Sequence, residues 1–120
     1  MNKKEWRNRI ERATREAGTY QPFFEDVIDT LAGIMEMKDA ATEQYEKDGG
    51  KPIVDYVNRG GHSNPKKNPA LAVINECNQQ ALAYWRDLGL TPSGFKRLTG
   101  KEVKDKEETR FEDVLANIGI

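Results

Sequence analysis

Six cations fall within the first fifteen residues, Lys3, Lys4, Arg7, Arg9, Arg12 and Arg15, against only Glu5 and Glu11. Ammonium and guanidinium groups at this density are suited to neutralising phosphates, and each contact of that kind releases a condensed counterion from the nucleic acid. A thinner second set follows in Arg59, Lys66, Lys67, Lys96 and Arg97. Between the two sets the sign reverses. Residues 16–50 hold nine acids against Lys38 and Lys47, a surplus of seven negative charges; residues 51–100 return to a surplus of four positive charges, and residues 101–120 to two negative ones. The formal net charge of −1 therefore conceals a divided chain, which is compatible with a local nucleic-acid surface. The acidic middle should repel DNA. The first set is the expected DNA contact, and the second is the reserve.

Residue types for covalent chemistry are scarce. There is no Gly-rich phosphate loop ending in Lys-Ser/Thr and no Gly-x-Ser-x-Gly elbow. His62 is the only histidine and Cys77 the only cysteine, so neither a zinc set nor a base for a serine or cysteine nucleophile can be assembled. Glu43, Glu46 and Asp48 lie close together, but no apolar residues interleave with them to shift a pKa, and a solvated acidic face explains them better. The expectation is a non-enzyme with no catalytic residues, no metal and no cofactor. Cys77 falls on an apolar stripe and reads as a small buried thiol. With no disulfide framework, no signal peptide and no apolar run near ~18 residues, a cytosolic protein without a membrane role is expected.

The elements that position these side chains are announced by their ends. Asn68 can cap a helix and Pro69 can open it; Leu71, Ile74, Cys77, Ala81, Trp85 and Leu88 then recur every three or four residues, and Gly89 stops the run. Thr91 and Pro92 repeat the cap-plus-proline start for a short helix through Phe95 and Leu98. This predicts a tight helix-turn-helix corner. Upstream, a helix predicted from about Pro22 to Lys47 carries Phe24, Ile28, Leu31 and Met35 on one face, broadened by Val27, Ile34, Met37 and Ala41, with Gly33 as its weak point. That breadth implies two contacts, one to the Leu71–Leu88 helix, packed antiparallel around Trp85 as a central core residue, and one to a neighbouring subunit. The N-terminal stripe Trp6, Ile10, Ala13 and Ala17 is narrower, and Gly18 ends it. A helix of about sixteen residues is marginal alone, so this arm is expected to be mobile until it meets a partner. Pro52 to Val57 reads as a short strand, pairing with His62 to Asn64 in a hairpin, and Arg59 to Asn68 as a connecting loop. The fold class is mainly α: an antiparallel helical hairpin with a short β-hairpin or strand in the connector and a small C-terminal helix-turn-helix corner. The expected divisions are a basic N-terminal helix or arm at 1–18, a helical core and oligomerisation domain at 19–100, and a charged C-terminal tail at 101–120. A hydrophobic content of 37% is lean for 120 residues, so part of the buried face should lie between subunits in an oligomer.

The run Asn68, Pro69, Ala70, Leu71 and the closing Trp85, Arg86, Asp87, Leu88, Gly89, Leu90, Thr91, Pro92 resemble the small subunits of tailed-phage terminases. The resemblance covers roughly two thirds of the chain, including the helix at Phe23 to Tyr45 and its Gly-rich connector. It departs from the family pattern at Ser93, Gly94 and Phe95. It implies a non-catalytic, DNA-recognising adaptor that forms a homo-oligomeric ring in the cytoplasm of the bacterial host. Its implied partners are double-stranded viral DNA and the terminase large subunit, which carries the ATPase and nuclease. The competing reading is a dimeric helix-turn-helix regulator with Thr91 to Gly100 as recognition helix. A third is an interaction module whose acidic helix binds a basic partner.

Overall fold

The computed structural model describes residues 1–57 and 59–101 of the chain; apart from Lys101, the tail expected at 101–120 lies outside the described residues. In order, the elements are α1 (Lys3–Ala17), a 3-10 turn (Pro22–Phe24), α2 (Glu25–Lys47), β1 (Ile53–Val57), β2 (Ser63–Lys67), α3 (Pro69–Asp87) and α4 (Pro92–Thr99).

Three of the four α-helices begin on a side-chain cap, and α2 instead continues from the 3-10 turn. The Asn2 side chain accepts from the Glu5 N–H at 2.8 Å, Asn68 from Ala70 at 3.0 Å and Thr91 from Gly94 at 3.1 Å, each satisfying an otherwise orphaned donor of a first turn. Gly18 and Gly100 close α1 and α4 in the left-handed conformation. Gly33 leaves α2 unbroken over its 23 residues.

Contacts between helix ends fix the topology. The Met1 amine meets Asp39 at 2.9 Å and Arg7 meets Glu25 at 3.3 Å, so α1 runs antiparallel to α2. Asn68, at the start of α3, donates to Asp48 at the end of α2, while Thr19, just ahead of α2, donates to the Leu88 carbonyl at 2.8 Å. The second and third helices are therefore antiparallel, as the periodicity predicts. Ile10, Ile28, Leu31 and Leu88 are fully buried at the centre, with Trp6, Phe24 and Met35 around them.

Two expectations need correction. Trp85 is half-buried at the rim of the core, not central. The buried line of α3 runs through the small residues Ala70, Cys77 and Ala81, with Leu88 buried at its C-cap, and Trp85 packs against the edge of this line. The second strand is Ser63–Lys67, so Lys66 and Lys67 belong to a ribbon and not to a loop. Nothing in Ser-Asn-Pro-Lys-Lys has β propensity. Pro65 is tolerated opposite Asp55 because both strands of a two-stranded ribbon are edges, where a missing N–H can face outward.

Candidate nucleic-acid interface

α1 sorts the six N-terminal cations by direction. With 3.6 residues per turn, Trp6, Ile10 and Ala13 face the core, and Lys4, Asn8, Arg12 and Arg15 recur on the opposite side, all exposed. Lys4 and Arg12 make no ion pair among the described residues. Arg15 lies 3.8 Å from the centre of the Tyr20 ring and 3.6 Å from Glu11, which holds the guanidinium flat without burying it. Asn8 went unread in the sequence because it carries no charge; its amide can donate to a phosphate from the middle of the ridge.

Lys3 and Arg7 face the other way, onto α2. Lys3 pairs with Asp29 at 3.1 Å, and Arg7 reaches both Glu25 at 3.3 Å and Asp29 at 3.7 Å. Arg9 is turned over the Trp6 ring at 5.5 Å, on the other flank of α1. The acidic run of α2 thus has a local task, because it receives two of the six cations, the Met1 amine and the Lys3 backbone N–H, which donates to Glu36 at 2.6 Å. Asp39 also accepts from the Trp6 indole at 2.6 Å. This side-chain pairing across helices had no signal in the sequence beyond the charges themselves.

The same contact perturbs the titrating groups. A hydrogen bond from the Tyr20 hydroxyl at 2.6 Å, then Glu11 and Arg7, hold the Glu25 carboxyl below the usual glutamate value, and that bond pushes the Tyr20 hydroxyl up. The Met1 amine is raised, chiefly by its hydrogen bond to Asp39. Burial pushes the Cys77 thiol up, as suits a packing residue.

The reserve cations divide between the two ends of α3, ~28 Å apart at 1.5 Å per residue. Arg59, Lys66 and Lys67 are exposed on the ribbon and its turn, beside the start of α3, whereas Lys96 and Arg97 are exposed on α4 beyond its end. Arg59, Lys67 and Arg97 make no ion pair among the described residues. The end of α1 shares the α4 end of the molecule, since Thr19 packs against the Gly89 turn. The structure therefore presents an exposed basic ridge on α1, with α4 at the same end, and a separate basic ribbon at the other.

Among the described residues, no helix is long and apolar enough to cross a membrane, and no three His, Cys, Asp or Glu side chains are grouped to hold a metal. No match was found among curated proteins or among solved structures. A family model described as phage terminase, small subunit, matches residues 2–105.

Proposed function

The chain belongs to the phage terminase small-subunit family, and we propose that it is the non-catalytic component that gathers viral DNA on the exposed face of α1, assembles into a ring and passes the DNA to the large ATPase and nuclease subunit. The observation that carries this reading is the sorting of charge by α1. Docking of its apolar stripe turns Lys4, Asn8, Arg12 and Arg15 outward, while the acids of α2 are drawn against Lys3 and Arg7 on the inner side. A phosphate approaching from outside meets Lys4, Asn8, Arg12 and Arg15 as one row, flanked by Glu5, Glu11 and Glu16. Ion pairs as exposed as those of Lys3 and Arg7 are weak and screened by salt, so both side chains can exchange carboxylate for phosphate at close approach. Several copies of such a ridge around a ring add their contacts through multivalency.

The test is binding of double-stranded DNA across a salt series. Lys4→Gln with Arg12→Gln removes two outward cations and leaves the core untouched. We expect unchanged melting, weaker binding, and a log-log salt slope shallower by about 0.9 for each phosphate that a bound subunit no longer neutralises. Arg7→Gln should change the slope less. An unchanged slope in the double variant moves the interface to Arg59, Lys66 and Lys67 or to Lys96 and Arg97, which the same substitutions at those positions then separate.

A further inference from the structure

A lone two-stranded ribbon is at best marginally stable in water and normally rests an apolar face on a helix or a third strand. The ribbon of β1 and β2 has such a face and leaves it open. Ile53, Asp55 and Val57 alternate onto one side, and Ile53 and Val57 are 60% and 63% exposed. Lys67 lies opposite Ile53 across the ribbon, Lys51 and Arg59 flank β1 in sequence, and Asp55 is the single acid of the ribbon.

A groove with an acidic far end lies elsewhere on the same chain. α1 has 15 residues and α2 has 23, so α1 covers only the first part of α2 and stops at Asp39. Beyond its end a groove of about 650 Å3 is lined by Trp6, Met35 and Trp85, by Asp39 paired with the Met1 amine, and farther along α2 by Glu43 and Glu46. Arg9, held on the Trp6 ring, and Lys38 also reach it. Glu46 makes no ion pair among the described residues, and Glu43 meets only Lys47, one turn along its own helix, in an exposed pair.

We propose that the β-hairpin of one copy docks in this groove of a second copy, with Ile53 and Val57 over Met35 and Trp85 and with Arg59 and Lys67 facing Glu43 and Glu46. The inference rests on the assembly proposed above and names its contact. Apolar residues meet apolar residues, cations meet acids, and the ribbon gains the helical support it lacks. Because hairpin and groove are different patches, the contact is heterologous. Such contacts propagate head to tail and close into a ring when the rotation permits.

A charge swap tests it, read by light scattering and sedimentation over a concentration series. Lys67→Glu and Glu46→Lys are each expected to raise the concentration needed for assembly about tenfold, ~1.4 kcal/mol per interface, and the chain carrying both should recover wild-type assembly. In parallel, a Val57→Cys chain and a differently tagged Glu43→Cys chain are mixed with a bismaleimide; Cys77, buried, stays unreactive. A crosslink joining the two tags is expected. If the wild type assembles but ignores the swap and gives no such crosslink, the hairpin contact is wrong and assembly itself stands. A crosslink confined to single chains of the Val57→Cys, Glu43→Cys double variant also overturns the proposal, because the hairpin then lies in its own groove. A monomeric wild type removes the assembly reading and this inference together.

Discussion

Gly94 and Gly33 exchange importance between sequence and structure. Gly33, in the middle of α2, is the position where a helix former is missing, and a Cβ there would meet nothing closer than the Lys3 Cε at 3.8 Å. Gly94 lies in the first turn of α4, and a Cβ there would fall on the Arg86 carbonyl of α3. The backbone of α3 cannot yield as a flexible side chain could, so α4 sits this close only because position 94 has no side chain. Gly89 makes the intervening turn, at φ 74°, with Thr19 and Leu98 packed where its side chain would be. Gly94→Ala should cost about 1–3 kcal/mol through overpacking, while Gly33→Ala should be neutral or stabilise by ~0.5–1 kcal/mol through the helix-propensity difference. Thermal melts of the two variants, followed by circular dichroism, check both signs. The glycine and proline punctuation of this corner was legible in the sequence. The close approach was not, because it depends on which carbonyl the turn brings opposite residue 94.

Among the elements, periodicity located helices and strands more faithfully than it ranked the residues within them. Of the stripe read on α3, Cys77, Ala81 and Leu88 are buried, whereas Leu71, Ile74 and its largest member, Trp85, are only partly so, and Ala81 and Leu88 carry the contact with the core. A stripe spans more than a third of a turn, and only the partner helix decides which row is central. Likewise α1, marginal by length and composition, is held by Trp6, Ile10 and Ala13 against the broad face of α2, with burial supplying what propensity lacks. This docking should respond to acid. Glu25 has a folded pKa below its ordinary value, so its contribution is present above that value, about 4.3, and is lost as pH falls through the depressed folded pKa. We expect melting temperature to fall more steeply below about pH 4.3 in the wild type than in Glu25→Gln. Parallel acid titrations of the two would contradict the assignment.

At the scale of the whole molecule, the alternation of charge along the chain was visible from the start, but its meaning was not. Positive, negative and positive segments read as a DNA-binding arm, a repelling helix and a reserve patch; folded, the first two lie against each other and their charges partly cancel. Which cations face outward depends on helical phase relative to Trp6 and Ile10, and that phase was in the sequence, although the helix that would cover it was not identified. An appended arm and an integral helix differ in what their removal does. Removing residues 1–17 takes away Trp6, Ile10 and Ala13 and opens Phe24, Ile28, Leu31 and Ala32 to water on one side. Fully burying a residue such as Ile10 is worth ~1.5–3 kcal/mol, against a typical domain stability of ~5–15 kcal/mol, so losing the whole face should leave the remaining helical hairpin close to unfolding. The 18–120 chain is therefore expected to melt well below the full chain and to bind a hydrophobic dye. Calorimetry gives the first reading and dye fluorescence the second. A truncated chain that melts cooperatively at the full-length temperature would mean that α1 rests on the core without supporting it, and deletion would then be a fair probe of DNA binding. Otherwise loss of binding on deletion reports loss of fold, and only outward substitutions such as Lys4→Gln and Arg12→Gln isolate the phosphate contacts.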